Sequence, residues 1–148
     1  NVDVREITKV VRNMNLYKNS INKKSMELNE TEYEMLRFIT KREKRSFVEV
    51  SNYLNVDKGL VTRMSKKLSE LEYVRIESDP TDSRKKMLIA TDKALKLKDE
   101  VVNEEVFFYD KCLDVLTDKE KKEFLNLVEK VYLESKKYRK NGWNFNEK

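Results

Sequence analysis

The sequence predicts a mainly α-helical chain with a small β-hairpin, arranged as a winged helix-turn-helix with further helices on both sides. Three observations predict it. Capping signatures recur at Asn29-x-x-Glu32, Ser46-x-x-Glu49 and Thr117-x-x-Glu120, and each marks a helix start by satisfying N–H groups that have no partner within the helix. Apolar residues recur at steps of three and four on both sides of a central region. Within that region the period changes to two: Val74 and Ile76 point one way, Arg75 and Glu77 the other. The polar stretch DPTDSRKK, residues 79–86, then separates this run from a second apolar run at 87–90.

Each element follows from local chemistry. Val4, Ile7, Val11, Met14, Tyr17 and Ile21 form the stripe of an amphipathic helix of about five turns. Asn29 opens a second helix carrying Tyr33, Leu36 and Ile39 or Thr40, which the basic cluster at 41–45 ends. Ser46 opens a short helix with Phe47, Val50 and Leu54. Asn55-Val56 makes the turn, and Asp57 is a natural N-cap for the next helix. There Val61, Met64, Leu68 and Leu71 form the stripe to be buried. After the hairpin, Thr91 or Asp92 starts a long helix reaching Leu116, apolar on more than one side as a helix with two neighbours would be. Thr117 opens a last helix carrying Phe124, Leu125, Val128, Val131 and Tyr132, which stops near Asn141-Gly142. A tail with Trp143 and Phe145 follows.

Composition narrows the function. The 148 residues contain no histidine, two glycines and one cysteine. The first excludes Ser-His-Asp, Cys-His and histidine-bearing zinc sites. The second excludes glycine-rich phosphate loops and dinucleotide fingerprints. Ser20-x-x-Lys23 fits a serine–lysine pattern, but the abundance of lysine makes that match expected by chance. No enzyme activity, cofactor or metal is expected. The lone Cys112 cannot form an intrachain disulfide, which fits a reducing, cytoplasmic setting. Its apolar neighbours predict a packed, inert thiol. No run approaches the roughly 20 apolar residues that span a membrane, and no secretory pattern opens the chain. The sequence starts at Asn1, as a trimmed one would.

The net charge of +5 is uneven: residues 41–86 hold 12 Lys and Arg against 8 Asp and Glu, a net of +4. A solvated helix surface would account for that, and so would a surface that meets phosphates. The second helix of a helix-turn-helix enters the major groove by its N-terminal half. At 58–71 its outward face carries Lys58, Gly59, Thr62, Arg63 and Lys66, with Lys67 alongside. Gly59 permits close approach, Thr62 can meet a thymine methyl, and Arg63 can take guanine O6 and N7 together. Lys66 and Lys67 suit phosphate. The N–H groups of the helix opened by Ser46 could hold another phosphate. In the hairpin loop Arg84 suits a narrow minor groove. Lys85 and Lys86 can follow the phosphates, and Asp82 is placed to hold Arg84 in one rotamer, reducing the entropy lost on docking.

The chain resembles the MarR family of bacterial transcription regulators. Residues 79–84, Asp-Pro-Thr-Asp-Ser-Arg, match the family's wing pattern Asp-x-Arg-Asp-x-Arg at Asp79, Asp82 and Arg84, and depart from it at Thr81. Thr91-Asp92-Lys93 resembles the family's entry to its long helix, and 57–71 its recognition helix. Glu72 and Ala94 stand where the family usually has glycine. A non-glycine at 72 costs about 1 kcal/mol if the backbone there is left-handed.

The resemblance implies a single domain over 1–148. A winged helix-turn-helix DNA-binding lobe would span 27–92, with the helix-turn-helix at 46–71 and the wing at 74–90. Dimerisation helices would occupy 1–24 and 93–141, and 142–148 would be a tail. It implies a homodimer with interface candidates Ile7, Val11, Met14, Leu125, Val128 and Tyr132. It also implies a repressor on a near-palindromic operator in double-stranded DNA, and a small aromatic or anionic effector. Sensing through a first-helix cysteine or through histidines does not carry over. The alternatives are a winged-helix module for protein contact, or a family member with weakened DNA binding.

Overall fold

The computed structural model describes residues 1–21 and 27–146. Lys23 of the serine–lysine pattern, and the end of the segment at 1–24, lie outside the described residues. Among the described residues the order is α1 (Glu6–Ile21), α2 (Glu30–Thr40), β1 (Arg45–Ser46), α3 (Phe47–Leu54), α4 (Lys58–Glu70), β2 (Val74–Ser78), β3 (Lys86–Ala90), α5 (Asp92–Leu113) and α6 (Asp118–Lys140). This is a winged-helix fold. The chain forms two compact units, Asn1–Val106 and Phe107–Lys148.

All three expected capping boxes are closed on both sides, at Asn29, Ser46 and Thr117. Asp57 caps α4 by accepting from the Leu60 N–H at 2.7 Å. Asn55 ends α3 in the left-handed conformation, φ 56°, which asparagine tolerates better than most residues. Several boundaries differ from the sequence reading. Val4 precedes α1 rather than joining it, α5 stops at Leu113 rather than Leu116, and each wing strand extends toward the loop beyond the apolar run. A further strand, β1, was not visible in the sequence. The sheet order is β1-β3-β2, antiparallel throughout, with Arg45 opposite Leu88 and Val74 opposite Ala90. Two residues are too few to show alternation, so β1 exists only because β3 offers it a free edge.

The core of the first unit gathers Met35, Leu36 and Ile39 from α2, Val50 from α3, Val61 and Leu68 from α4, and Leu88 from β3, all buried. The hairpin therefore packs on the helix-turn-helix as well as extending it. Beneath α3 lies a stack: the Arg45 guanidinium sits 3.7 Å from the Phe38 ring centre, and Phe38 stacks on Tyr53 at 4.1 Å. Arg45 also donates to the Phe38 carbonyl and to Glu49. This buried arginine ties the α3 entry to α2, whereas the sequence shows it only as one member of the basic cluster that ends α2.

In the second unit no described residue is buried. The long helix was expected to enclose Cys112, and that expectation is corrected: Cys112 is exposed. The only residues α5 buries are Ala94 and Val101, both in the first unit.

Both helix ends near the expected glycine positions use the same device. Glu72 has φ 67°, its N–H reaches the Ser69 carbonyl, and the Tyr73 N–H reaches the Leu68 carbonyl. Gly142, φ 77°, and Trp143 do the same at the end of α6. This is the Schellman arrangement, which wants glycine at the left-handed position. Glu72→Gly is expected to raise the unfolding free energy by up to about 1 kcal/mol, because relief of the left-handed strain exceeds the added chain entropy. Urea denaturation measures this, and no change or a loss would contradict it.

Candidate nucleic-acid interface

Helix α4 divides cleanly. Val61, Met64, Ser65 and Leu68 are buried. Lys58, Gly59, Thr62, Arg63 and Lys66 are exposed on the other side. Thr62 donates its hydroxyl to the Lys58 carbonyl at 2.9 Å, so its methyl and its lone pairs are what it offers outward. An added Cβ at Gly59 would stand 3.2 Å from Asp57 Oδ1 and 3.4 Å from Arg63 Nη1. The small residue thus leaves room for the N-cap and for the arginine side chain over the start of the helix. Ser46, at the N-terminus of α3, is half-buried. Its hydroxyl accepts from the Glu49 N–H at 3.0 Å, and its own N–H donates to Glu49.

Lys67 stands apart from the other α4 cations. Its Nζ lies 2.8 Å from Oε1 of Glu32, whose side chain is only 8% exposed. Helical spacing puts Lys66 on the outward face and Lys67 beside it, but it could not show that Lys67 has Glu32 as its partner.

The wing loop is held by its own aspartates. Asp79 Oδ1 accepts from the Thr81 N–H and hydroxyl at 2.8 and 2.7 Å. Those two bonds, the hydroxyl first, hold the Asp79 carboxyl below its usual range. The Asp79 N–H closes on the Lys85 carbonyl. Asp82 Oδ1 accepts from Arg84 N and Nε at 3.0 and 3.2 Å, while the Arg84 side chain stays 91% exposed. The loop thus presents a guanidinium oriented from behind. Lys85 and Lys86 are exposed beside it, with Lys86 Nζ 3.4 Å from the Ser78 hydroxyl.

The far end of α4 is clasped by the start of α5. Thr91 donates its hydroxyl to the Glu72 carbonyl, and Lys93 donates to the Leu71 carbonyl at 2.6 Å. Lys93 also lies 4.3 Å from the Tyr73 ring centre. The Tyr73 hydroxyl donates to Glu27 at 2.7 Å. Burial and that bond push the Tyr73 pKa up to about 12.

Comparison with known proteins agrees with this layout. The family model described as MarR family matches residues 28–86, from just before α2 to the wing. A MarR protein from Peptoclostridium difficile is 31% identical, the match covering 95% of this chain and 88% of that one, with a TM-score of 0.67. The chain belongs to the MarR family. Two more distant solved structures share the fold. A transcriptional regulator from Thermotoga maritima is 19% identical, with 97% and 96% of the two chains covered and a TM-score of 0.70. The YusO protein from Bacillus subtilis is 17% identical, with 86% and 90% covered and a TM-score of 0.71. No curated protein matches the chain.

In this MarR-family chain α1 is largely exposed: Ile7 and Val11 lie open, while Met14 is buried. On α6, Leu125, Val128 and Tyr132 are 45%, 44% and 54% exposed, and the helix buries no residue. A cavity of about 1010 Å³ in the first unit is lined by residues of α1, α2 and α5, among them Met14, Lys18, Tyr33, Arg37, Val101 and Glu105. The Tyr33 hydroxyl is buried without a hydrogen-bond partner among the described residues. Burial first, then the nearby Glu105 carboxylate, pushes its pKa up to about 12. Among the described residues no group of side chains has the makings of a metal site, and no helix is long and apolar enough to cross a membrane.

Proposed function

We propose that this protein is a dimeric, sequence-specific regulator, a repressor that reads a near-palindromic operator in double-stranded DNA. The observation that carries the reading is the division of α4. One face is anchored in the core, and the other presents Lys58, Gly59, Thr62, Arg63 and Lys66 as a single exposed strip. In this reading Arg63 takes a base edge in the major groove, and Arg84, held by Asp82, enters the minor groove. Lys66, Lys85, Lys86 and the N-terminus of α3 at Ser46 meet phosphates. The winged lobe at 27–92 holds these groups, with the helix-turn-helix at 46–71 and the wing at 74–90. Residues 1–24 and 93–141 supply the dimer helices, within which Ile7, Val11, Leu125, Val128 and Tyr132 offer exposed apolar surface. Met14 is packed within its own chain, so it would support that surface from beneath. Such a regulator works in the cytoplasm.

Binding to the duplex from upstream of its own gene, measured at several salt concentrations, tests the reading. Three phosphate lysines per chain in a dimer give log K against log salt a slope of about −5. Arg63→Ala is expected to cost about 1–3 kcal/mol and relax the base preference. Arg84→Ala, whose side chain supports no packing, weakens binding without changing the melting temperature. Operator affinity indifferent to both substitutions would sink the reading.

A second reading rests on one specific feature. Thr81 stands where the family pattern has arginine, and its hydroxyl is turned back onto Asp79. A winged helix used for protein contact, or one with weakened DNA binding, would fit that wing. A flat salt dependence would favour it.

The cavity beside α1, α2 and α5 is the effector site in the main reading. Its two cations are already paired with carboxylates of the same lining, Lys18 with Glu105 at 3.1 Å and Arg37 with Glu34 at 3.4 Å. An anionic effector must compete with those carboxylates. A neutral or cationic aromatic is therefore the better match.

A further inference from the structure

By sequence Lys67 suits phosphate, but its surroundings give it a different task. Its ammonium meets Oε1 of Glu32 at 2.8 Å, and the same oxygen accepts the Asn29 N–H at 2.8 Å. Glu32 in turn donates its own N–H to Asn29 Oδ1 at 2.8 Å, closing the α2 capping box. Burial raises the Glu32 pKa, but the hydrogen bonds from Lys67 and Asn29 outweigh it, so the carboxyl lies below its usual range. A carboxylate this enclosed needs a cation, because breaking such a pair leaves a buried charge unmatched. The neighbouring Lys66 is exposed and has no part in this network.

Resting on the DNA-reading proposal, we infer that Lys67 and Glu32 are positioning residues: their ion pair sets the placement of α4 against the start of α2, and Lys67 makes no phosphate contact. The pair sits in the last turn of α4. Thr91 and Lys93 hold the end of the same helix from the α5 side. Between them these ties fix the helix that carries Arg63 to two separate elements. None of the groups in these ties is one of the five residues of the exposed strip, so they can set where the strip stands without being part of what it reads.

The two roles predict opposite outcomes. A phosphate lysine contributes about 0.9 to the salt slope for each contact, so losing two in a dimer lowers the slope by about 2. A positioning lysine contributes nothing to the slope but alters affinity. The test uses the full chain and the duplex from upstream of its own gene, with Lys66→Ala as the phosphate reference. Glu32→Gln keeps an oxygen for the Asn29 N–H and removes the charge that holds Lys67. Under the inference it weakens DNA binding roughly 2–30-fold, the range of couplings carried through packed elements, although it makes the chain more positive. The slope stays unchanged. Lys67→Met gives a loss of similar size, also at unchanged slope, and the double variant loses no more than the larger single loss.

If Lys67 instead meets phosphate, Glu32→Gln frees it and binding tightens with a steeper slope, while Lys67→Met flattens the slope as Lys66→Ala does. Either result overturns the inference. A pair that only stabilises the fold would lower the melting temperature but leave the affinity of the folded variant unchanged well below that temperature, which also overturns it. Should Lys67→Met fail to fold, Glu32→Gln decides alone. Absence of salt-dependent binding by the unsubstituted chain overturns the DNA reading, and the inference with it. Normal binding by the unsubstituted chain with either contrary slope change overturns the inference only.

Discussion

Leu68→Ala is expected to lower the unfolding free energy by about 2–5 kcal/mol. Leu68 is fully buried on the inner face of α4, in a cluster with Leu36, Ile39, Val50, Val61 and Leu88. Removing its branched end leaves a cavity bounded by three helices and a strand that cannot all close inward. Its carbonyl also receives the Tyr73 N–H at 2.8 Å, so any shift there disturbs the left-handed turn at Glu72. Domains of this size are stable by about 5–15 kcal/mol, so the loss would be a large part of the total. Leu71, only half-buried, should cost clearly less. Urea denaturation of both variants measures the difference. A Leu68 loss below about 1 kcal/mol would show that α4 is not anchored in the core as described.

Val128→Glu, combined with Leu125→Glu, is expected to convert the proposed dimer to monomer and weaken operator binding about 10²–10⁴-fold. That factor is what joining two binding modules adds. The expectation comes from α6 itself. It exposes Phe124, Leu125, Leu127, Val128, Val131, Tyr132 and Leu133 and buries none of its residues. A helix owes most of its stability to a packed apolar face rather than to propensity. Two carboxylates on that face would have to be desolvated in any helix–helix contact. Sedimentation equilibrium reads the oligomeric state, and binding to the duplex from upstream of its own gene reads the affinity. A dimer unaffected by both charges would remove α6 from the interface.

The legible parts of this protein are those written in local chemistry. Asn29, Ser46 and Thr117 each sit three residues before a glutamate, and a capping box is complete within those residues. The bonds from Asp82 to Arg84 are likewise a contact over two residues, so the orientation of the arginine follows from the loop sequence. The illegible parts depend on partners distant in sequence. Lys67 stands next to the exposed Lys66, and the partner that gives it a separate role, Glu32, lies thirty-five residues earlier. Arg45 was one cation in a basic run until the Phe38 ring and carbonyl came beneath it. The apolar neighbours of Cys112 in the sequence are those of a packed thiol, yet Cys112 is exposed.

The sequence by itself determined the order of helices, the hairpin, the buried stripe of α4 and the resemblance to MarR regulators. Periodicity and capping are properties of neighbouring residues, and they survive without knowledge of the rest. Tertiary structure alone decided that β1 exists, that Glu72 takes the left-handed position, that Met14 is packed while Cys112 is open, and that Lys67 pairs with Glu32. Each of these depends on which surfaces the fold brings together. Burial and charge pairing respond to that proximity, and residue type alone does not carry it.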